Sequence, residues 1–181
     1  MCAIEYYTYD DYVQWEGKWE LIDGIPLAMA PSPMINHQAI ALMLAKVLID
    51  ELDGCDMCLV VNGQDWKIND ETVVKPDVAL ICNEPHDAYI TKTPKLVAEV
   101  VSPSSARRDE KTKFELYEKE GVPYYLLVYP DDLKAKAYAL KEGRFVKLGD
   151  FTHETHRFDW SDCSMAIDFD RVFRRFRKGR Q

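Results

Sequence analysis

Two acidic side chains sit where acids are expensive. Asp77 lies in Pro76-Asp-Val-Ala-Leu-Ile81 and Glu99 in Leu96-Val-Ala-Glu-Val-Val101. The second run is apolar enough to form a strand buried on both faces. The two-residue period of a strand puts Asp77 on one face with Ala79 and Ile81, and Glu99 on one face with Val97 and Val101. A carboxylate in such a place needs a proton, a basic side chain or a metal ion to offset its lost hydration. Two acids on two central strands suggest one shared counter-ion. Hard cations such as Mg²⁺ are often held by one or two carboxylates together with phosphate oxygens.

A third group follows in sequence. Asp109, Lys113 and Tyr117 recur at i, i+4 and i+8 and so share one stripe of a helix. Lys113, with Phe114 and Leu116 beside it, faces the interior. Its four-carbon stem can carry the ammonium to the adjoining sheet. There it could orient a water or stabilise charge on a reacting phosphate. Arg107, Arg108 and Lys111 lie nearer the helix start and are candidates to meet nucleic-acid phosphates. The spacing leaves a second reading open, in which Asp77, Glu99 and Lys113 form a buried ion pair that only fixes the core.

The elements that must position these residues can be read from the pattern. Thr8 caps a short helix reaching about Glu16. Lys18 to Asp23 alternates, Asp23-Gly24 signals a hairpin turn, and Ile25 to Ala30 returns. Pro31-Ser-Pro33 is a loop. His37 to Leu52, capped by Asn36, carries Ile40, Met43, Leu44, Val47, Leu48 and Leu52 at amphipathic helical spacing. Strands follow at 57–61, 64–68, 73–82 with Pro76 inside, and 95–102. A helix capped by Ser104 or Ser105 runs to about Glu120 and stops at Gly121. Val122 to Tyr129 is the most β-prone run, and 134–140 with 144–148 forms a last hairpin. Strands grouped on both sides of a helix predict an α/β (α+β) protein, a central mixed sheet flanked by helices.

The 181 residues suit one domain, with 47% apolar and 30% charged residues. No apolar run is long enough to span a bilayer and no basic-then-apolar leader opens the chain, so a cytoplasmic location without membrane contact is expected. Net charge is −8, yet residues 171–181 hold six Lys or Arg and no acid, which leaves −14 on the rest. That basic tail could meet phosphates, or it could be a short terminal helix with a solvated end. Five cysteines, an odd number, argue against a disulfide framework. Cys55-Asp-Met-Cys58 has metal-site spacing, and His153-Glu-Thr-His156 is the nearest candidate for a second pair. Half-buried thiols are the simpler reading.

Taken together, Glu20-Leu-Ile-Asp-Gly24, Pro31-Ser-Pro33 with His37, Val74-Lys-Pro-Asp-Val78, Leu96-Val-Ala-Glu-Val-Val-Ser-Pro-Ser104, Arg108-Asp109 with Lys113 and Tyr117, and Gly121-Val-Pro-Tyr-Tyr125 resemble one family. It is the Uma-two family of restriction-endonuclease-like proteins within the PD-(D/E)XK nuclease superfamily. The resemblance implies a restriction-endonuclease-like core and Asp77 and Glu99 as ligands of Mg²⁺ or Mn²⁺. It implies an endonuclease acting on nucleic acid, with DNA the expected substrate. The superfamily lysine would fall at position 101, which is Val101 here. In this family its role passes to the next helix, which maps onto Lys113. Glu20, His37 and Asp109 match accessory positions. Tyr124 and Tyr129 stand where the family commonly carries acids. Cutting both strands would need two sites, which makes a homodimer the expected assembly. A catalytically silent binding or assembly module with the same fold is the alternative.

Overall fold

The computed structural model describes residues 5–29, 34–85, 87–160 and 163–177. A helical turn, α1 (Tyr9–Tyr12), leads into the hairpin β1 (Trp19–Ile22) and β2 (Ile25–Ala28). The long helix α2 (Ile35–Asp50) precedes four strands, β3 (Cys58–Asn62), β4 (Trp66–Asn69), β5 (Thr72–Val74) and β6 (Val78–Cys82). Then come β7 (Leu96–Val100), a π-helical stretch Arg108–Lys113 that continues as α3 (Phe114–Lys119), and β8 (Tyr124–Tyr129). The chain ends with β9 (Lys134–Lys141), β10 (Arg144–Phe151), β11 (Thr155–Trp160), β12 (Cys163–Asp168) and α4 (Phe169–Arg177).

The central sheet has the order β10-β9-β8-β7-β6-β3. It is mixed, because β7 and β8 run parallel while its other neighbours are antiparallel. A parallel neighbour requires a crossover, and the π-helical stretch with α3 is that crossover. A second sheet, β2-β1-β5-β4, and the β11–β12 hairpin complete the strands. All five residues of β6 and all five of β7 are buried. One face of the central sheet packs Leu80, Ala98 and Leu126 against α2, the β11–β12 hairpin and α4. The other packs Ala79, Val97 and Leu127 against Trp66, Leu116 and Tyr117. The odd-numbered residues of β6 and β7 therefore look toward the small sheet and the crossover helix.

Several expectations need correction. The first helix is one turn, although Thr8 and Asp11 do form its capping box. Helix α2 starts at Ile35 behind Met34, so Asn36 is inside it and does not cap. Pro76 divides the expected 73–82 strand into β5 and β6, since proline cannot donate to a ladder. The chain past Leu148 adds the β11–β12 hairpin, which the sequence reading left unassigned, while the terminal helix it offered for the basic tail is α4, beginning at Phe169. The fold brings Cys55 beside Cys163 and Cys58 beside Cys82, two pairings that the argument from an odd count did not foresee. The described part of the basic tail is α4, tied down by Arg171 to Asp50 and Glu51 and by Arg177 to Asp170. Residues 178–181, Cys2 and the Pro31-Ser-Pro33 loop lie outside the described residues.

Candidate active site

The register of the central sheet brings the two acids together. Val78 pairs with Ala98 and Ala79 with Val97 across β6 and β7. One step beyond the last of these pairs, Asp77, in the bend just before β6, stands opposite Glu99. The backbone NH of Val100 donates to Asp77 Oδ2 over 2.8 Å. His37, in the first turns of α2, places Nε2 3.3 Å from the same oxygen. Asn62 at the end of β3 donates its amide to the Asp77 carbonyl at 2.7 Å. The acid is thus held from three elements.

Glu99 is 2% exposed, and its described partners both fall on Oε1. Lys113 Nζ donates at 3.0 Å and the Tyr117 hydroxyl at 2.7 Å. Lys113 also reaches Glu20 Oε1 at 2.7 Å. Glu20, fully buried in β1, accepts in addition from the Lys75 backbone NH at 2.9 Å and pairs with Arg108 at 3.3 Å. The ammonium is therefore clamped between the large and the small sheet. The crossover supplies these side chains. Its widened turn buries both Asp109 and Lys113, and α3 then buries Tyr117.

These groups border a cleft of about 660 Å³, lined by Asp77, Glu99, Asp109 and Lys113 together with His37, Lys18, Lys75, Arg108 and Ser102 to Ser105. Its charges are closely coupled. Four acids, Glu20, Asp77, Glu99 and Asp109, crowd around the buried Lys113, with Arg108 on Glu20 and His37 on Asp77. Burial, then the charges of Asp77, Asp109 and Glu20, push Glu99 well above the usual carboxyl range despite Lys113. Burial raises Asp109 to about 6, against the pull of Lys113 and a Ser105 hydrogen bond. Burial works against the charge of Lys113, but Glu20, Glu99 and Asp109 outweigh it and hold the amine protonated. For His37, burial is outweighed by its hydrogen bond to Asp77 and the charges of Asp77 and Asp109, so its pKa is raised.

A divalent cation fits this donor set. Asp77 Oδ1 and Glu99 Oε2 take no part in the contacts above. His37, whose Nε2 contacts Asp77, keeps its Nδ1 buried without a hydrogen-bond partner. Among the described residues, no three His, Cys, Asp or Glu side chains converge as a ready-made ligand cage. The arrangement suits an ion such as Mg²⁺, which is bound by one or two carboxylates and fills its remaining positions with water and substrate oxygens.

Of the residues expected at the site, Glu20, His37, Asp77, Glu99, Asp109 and Lys113 gather in or behind the cleft. Arg108 lines it but is drawn to Glu20. Arg107 and Lys111 are exposed and do not line it. Tyr124 and Tyr129 do not line it either. Their hydroxyls bond the Asp159 carbonyl and Glu110, so the two departures from the family pattern serve packing. The sequence reading missed the cleft lysines Lys18 and Lys75 and the bond from Tyr117 to Glu99. Adjacency of Lys75 to Pro76-Asp77, and the four-residue step from Lys113 to Tyr117, were the signals available.

The architecture is that of a restriction-endonuclease-like protein. The crystal structure of a protein from Anabaena variabilis, described as a putative nuclease belonging to DUF820, superposes with a TM-score of 0.72 over 92% of this chain and 97% of that one, at 15% identity. The model of the Uma2 family, described as a putative restriction endonuclease, matches residues 9–160, and the chain belongs to that family. It is 35% identical over 140 residues to the uncharacterized protein slr1290 of Synechocystis sp., covering 71% of this chain and 72% of that protein. It is 31% identical over 124 residues to sll1609 of the same organism, covering 65% and 67%.

Proposed function

We propose that the protein is a metal-dependent endonuclease that hydrolyses phosphodiester bonds of DNA, with Asp77 and Glu99 holding Mg²⁺ or Mn²⁺ and Lys113 as the third catalytic group. The observation that carries this reading is the placing of Asp77 opposite Glu99 at the cleft, with the Lys113 ammonium 3.0 Å from Glu99. The ion would polarise the phosphate and lower the pKa of a water. The chain's own residues do the rest. Val100 and His37 orient Asp77. Glu20 and Tyr117 leave Lys113 and Glu99 no alternative partner, so the ammonium stays protonated at the edge of the reacting centre. Oε1 of Glu99 already accepts two hydrogen bonds, so Oε2 is the atom that carries a proton or faces a cation. Lys18 and Arg108 line the approach and supply positive charge for flanking phosphates. Two chains arranged about a twofold axis would cut both strands.

Supercoiled plasmid incubated with the protein and Mn²⁺ tests this. Nicking is expected, with a loss on the order of 100-fold or more in Asp77→Asn, Glu99→Gln and Lys113→Met. Undiminished cleavage by all three variants would remove these residues from the chemistry. No cleavage by the unaltered protein on DNA or RNA, together with no Mn²⁺ binding by calorimetry, would return the silent binding module.

A further inference from the structure

The cysteines form a second centre that the acid cleft does not use. Cys55 and Cys163 stand 6.0 Å apart between Cα atoms, and Cys58 and Cys82 stand 4.0 Å apart. The two pairs are joined, because the Cys58 NH donates to the Cys55 carbonyl at 2.9 Å. The turn between α2 and β3, which carries Cys55 and Cys58, thus meets the end of β6 at Cys82 and the start of β12 at Cys163. The sequence separations are 108 and 24 residues. Cys58 and Cys163 are half-buried, so small reagents can reach each pair through one member.

The placing of this cluster relates it to the cleft. Helix α2 begins beside His37 and leads to Cys55. Strand β3 begins at Cys58 and ends at Asn62, whose amide holds the Asp77 carbonyl. Strand β6 follows Asp77 and ends at Cys82. Three elements therefore run from the cysteine cluster to the acids. Strand β3 is also an edge strand with one hydrogen-bonded neighbour, β6, and Cys58 and Cys82 face each other in that ladder. A bond there stops the edge from fraying at the end remote from the cleft.

We propose that Cys55, Cys58, Cys82 and Cys163 are a thiol–disulfide modification site, closed by small disulfides of the oxidised-glutathione class and reopened by a thiol reductant. For each pair, two thiols react with one small disulfide to give one protein disulfide and two small thiols. The two electrons pass to the reagent, and the two protons end on the released thiols. Closure fixes the far ends of the elements that carry His37, Asn62 and Asp77. The chemistry of the cluster does not depend on the nuclease reading; only its consequence for a metal site rests on it.

The test uses the whole chain, equilibrated with reduced and oxidised glutathione at set ratios, then alkylated in denaturant and weighed. Five cysteines are present. Alkylation of one under oxidising ratios and of five under reducing ratios is expected, with Cys55–Cys163 and Cys58–Cys82 found by peptide mapping. Amide hydrogen exchange across residues 58–62 should slow on the order of tenfold on oxidation. The Cys163→Ser variant should keep the Cys58–Cys82 bond. Five reactive thiols at every ratio would overturn the proposal. So would a Cys55–Cys58 bond, one stoichiometric zinc protecting all four thiols, or equal exchange in both states. None of these readouts involves cleavage, so they stand whether or not the protein cuts DNA.

Discussion

Asp109→Asn should make the protein more stable at neutral pH, and by an amount that grows with pH. Asp109 is 3% exposed and its folded pKa is about 6, against an ordinary value of 3.8. Burial is the main cause, and the neighbouring Asp77 and Glu20 add to it. A carboxyl raised on folding binds more protons in the native than in the unfolded state between those two values. Unfolding free energy therefore falls as pH rises from about 4 to about 6 and stays low above that. The gap of about two pKa units corresponds to about 3 kcal/mol at pH 7. Asparagine is the neutral isostere and can keep an oxygen acceptor for Ser105, so it should recover up to that amount. Urea unfolding at pH 4, 5, 6, 7 and 8, with chelator present, measures it. The variant and the parent should coincide near pH 4 and separate by about 3 kcal/mol at pH 7. A difference that does not change with pH, or a variant that loses stability as pH rises, would refute the account of an acid raised by burial. Repeating the series with saturating Mn²⁺ should shrink the gain, because a cation relieves the same repulsion.

Further outcomes follow from the same network. Lys113→Met leaves Glu20 and Glu99 buried without their shared cation, and should cost about 3–5 kcal/mol in urea unfolding at pH 7, with part of the loss recovered at pH 5. Where it remains folded, calorimetry should find Mn²⁺ binding retained while cleavage is lost, since lysine is not a ligand. Tyr117→Phe removes one hydrogen bond to Glu99 and should cost about 1.5–3 kcal/mol by thermal or urea unfolding. His37 has a folded pKa above its ordinary 6.5. Its contribution is full below that value and is lost as pH rises through the folded one. His37→Gln should therefore flatten the fall in stability above pH 6.5 in chelator-treated protein, and a slope unchanged by the substitution would contradict the Asp77 contact.

What the sequence made legible was whatever local chemistry dictates. The β1–β2 turn is an instance: Asp23-Gly24 is a hairpin signal, and the structure has both residues at positive φ, 50° and 74°. The period of β7 placed Glu99 on one face with Val97, whereas Asp77, read as part of a strand, stands in the bend just before β6. What stayed hidden depends on tertiary pairing. Nothing local says that Arg108 will turn to Glu20, 88 positions away, instead of facing solvent. The β11–β12 hairpin was hidden because its strands alternate weakly, with much of β11 exposed. The cysteine pairs were hidden for a related reason. Parity of a count says nothing about which four of five residues the fold brings together.

The lysine shows why position in sequence and position in space must be argued separately. The superfamily pattern would put it at 101, but Val101 is buried in an apolar cluster with Ile81, Tyr117 and Tyr125. A lysine side chain there would need room that the aromatic packing takes up. Lys113 approaches the same acid from the opposite layer, and its Nζ lies 3.0 Å from Glu99 Oε1. What the proposed chemistry requires is an ammonium beside the carboxylate, and a long side chain can supply it from either layer. Moving it to the crossover has a structural consequence. The helix must carry Asp109 and Lys113 inward on one turn, and a widened π-helical turn does so. Glu20 then becomes necessary as a second anchor, because a lysine entering from the helix crosses the space between the sheets. The odd helix geometry, the third buried acid and the valine at 101 are thus one linked solution. Restoring lysine at 101 in the Lys113→Met background should not recover cleavage unless Tyr117 or Tyr125 is also reduced in size. Recovery by Val101→Lys alone, measured by plasmid nicking, would show that the packing around 101 does not decide where the ammonium sits.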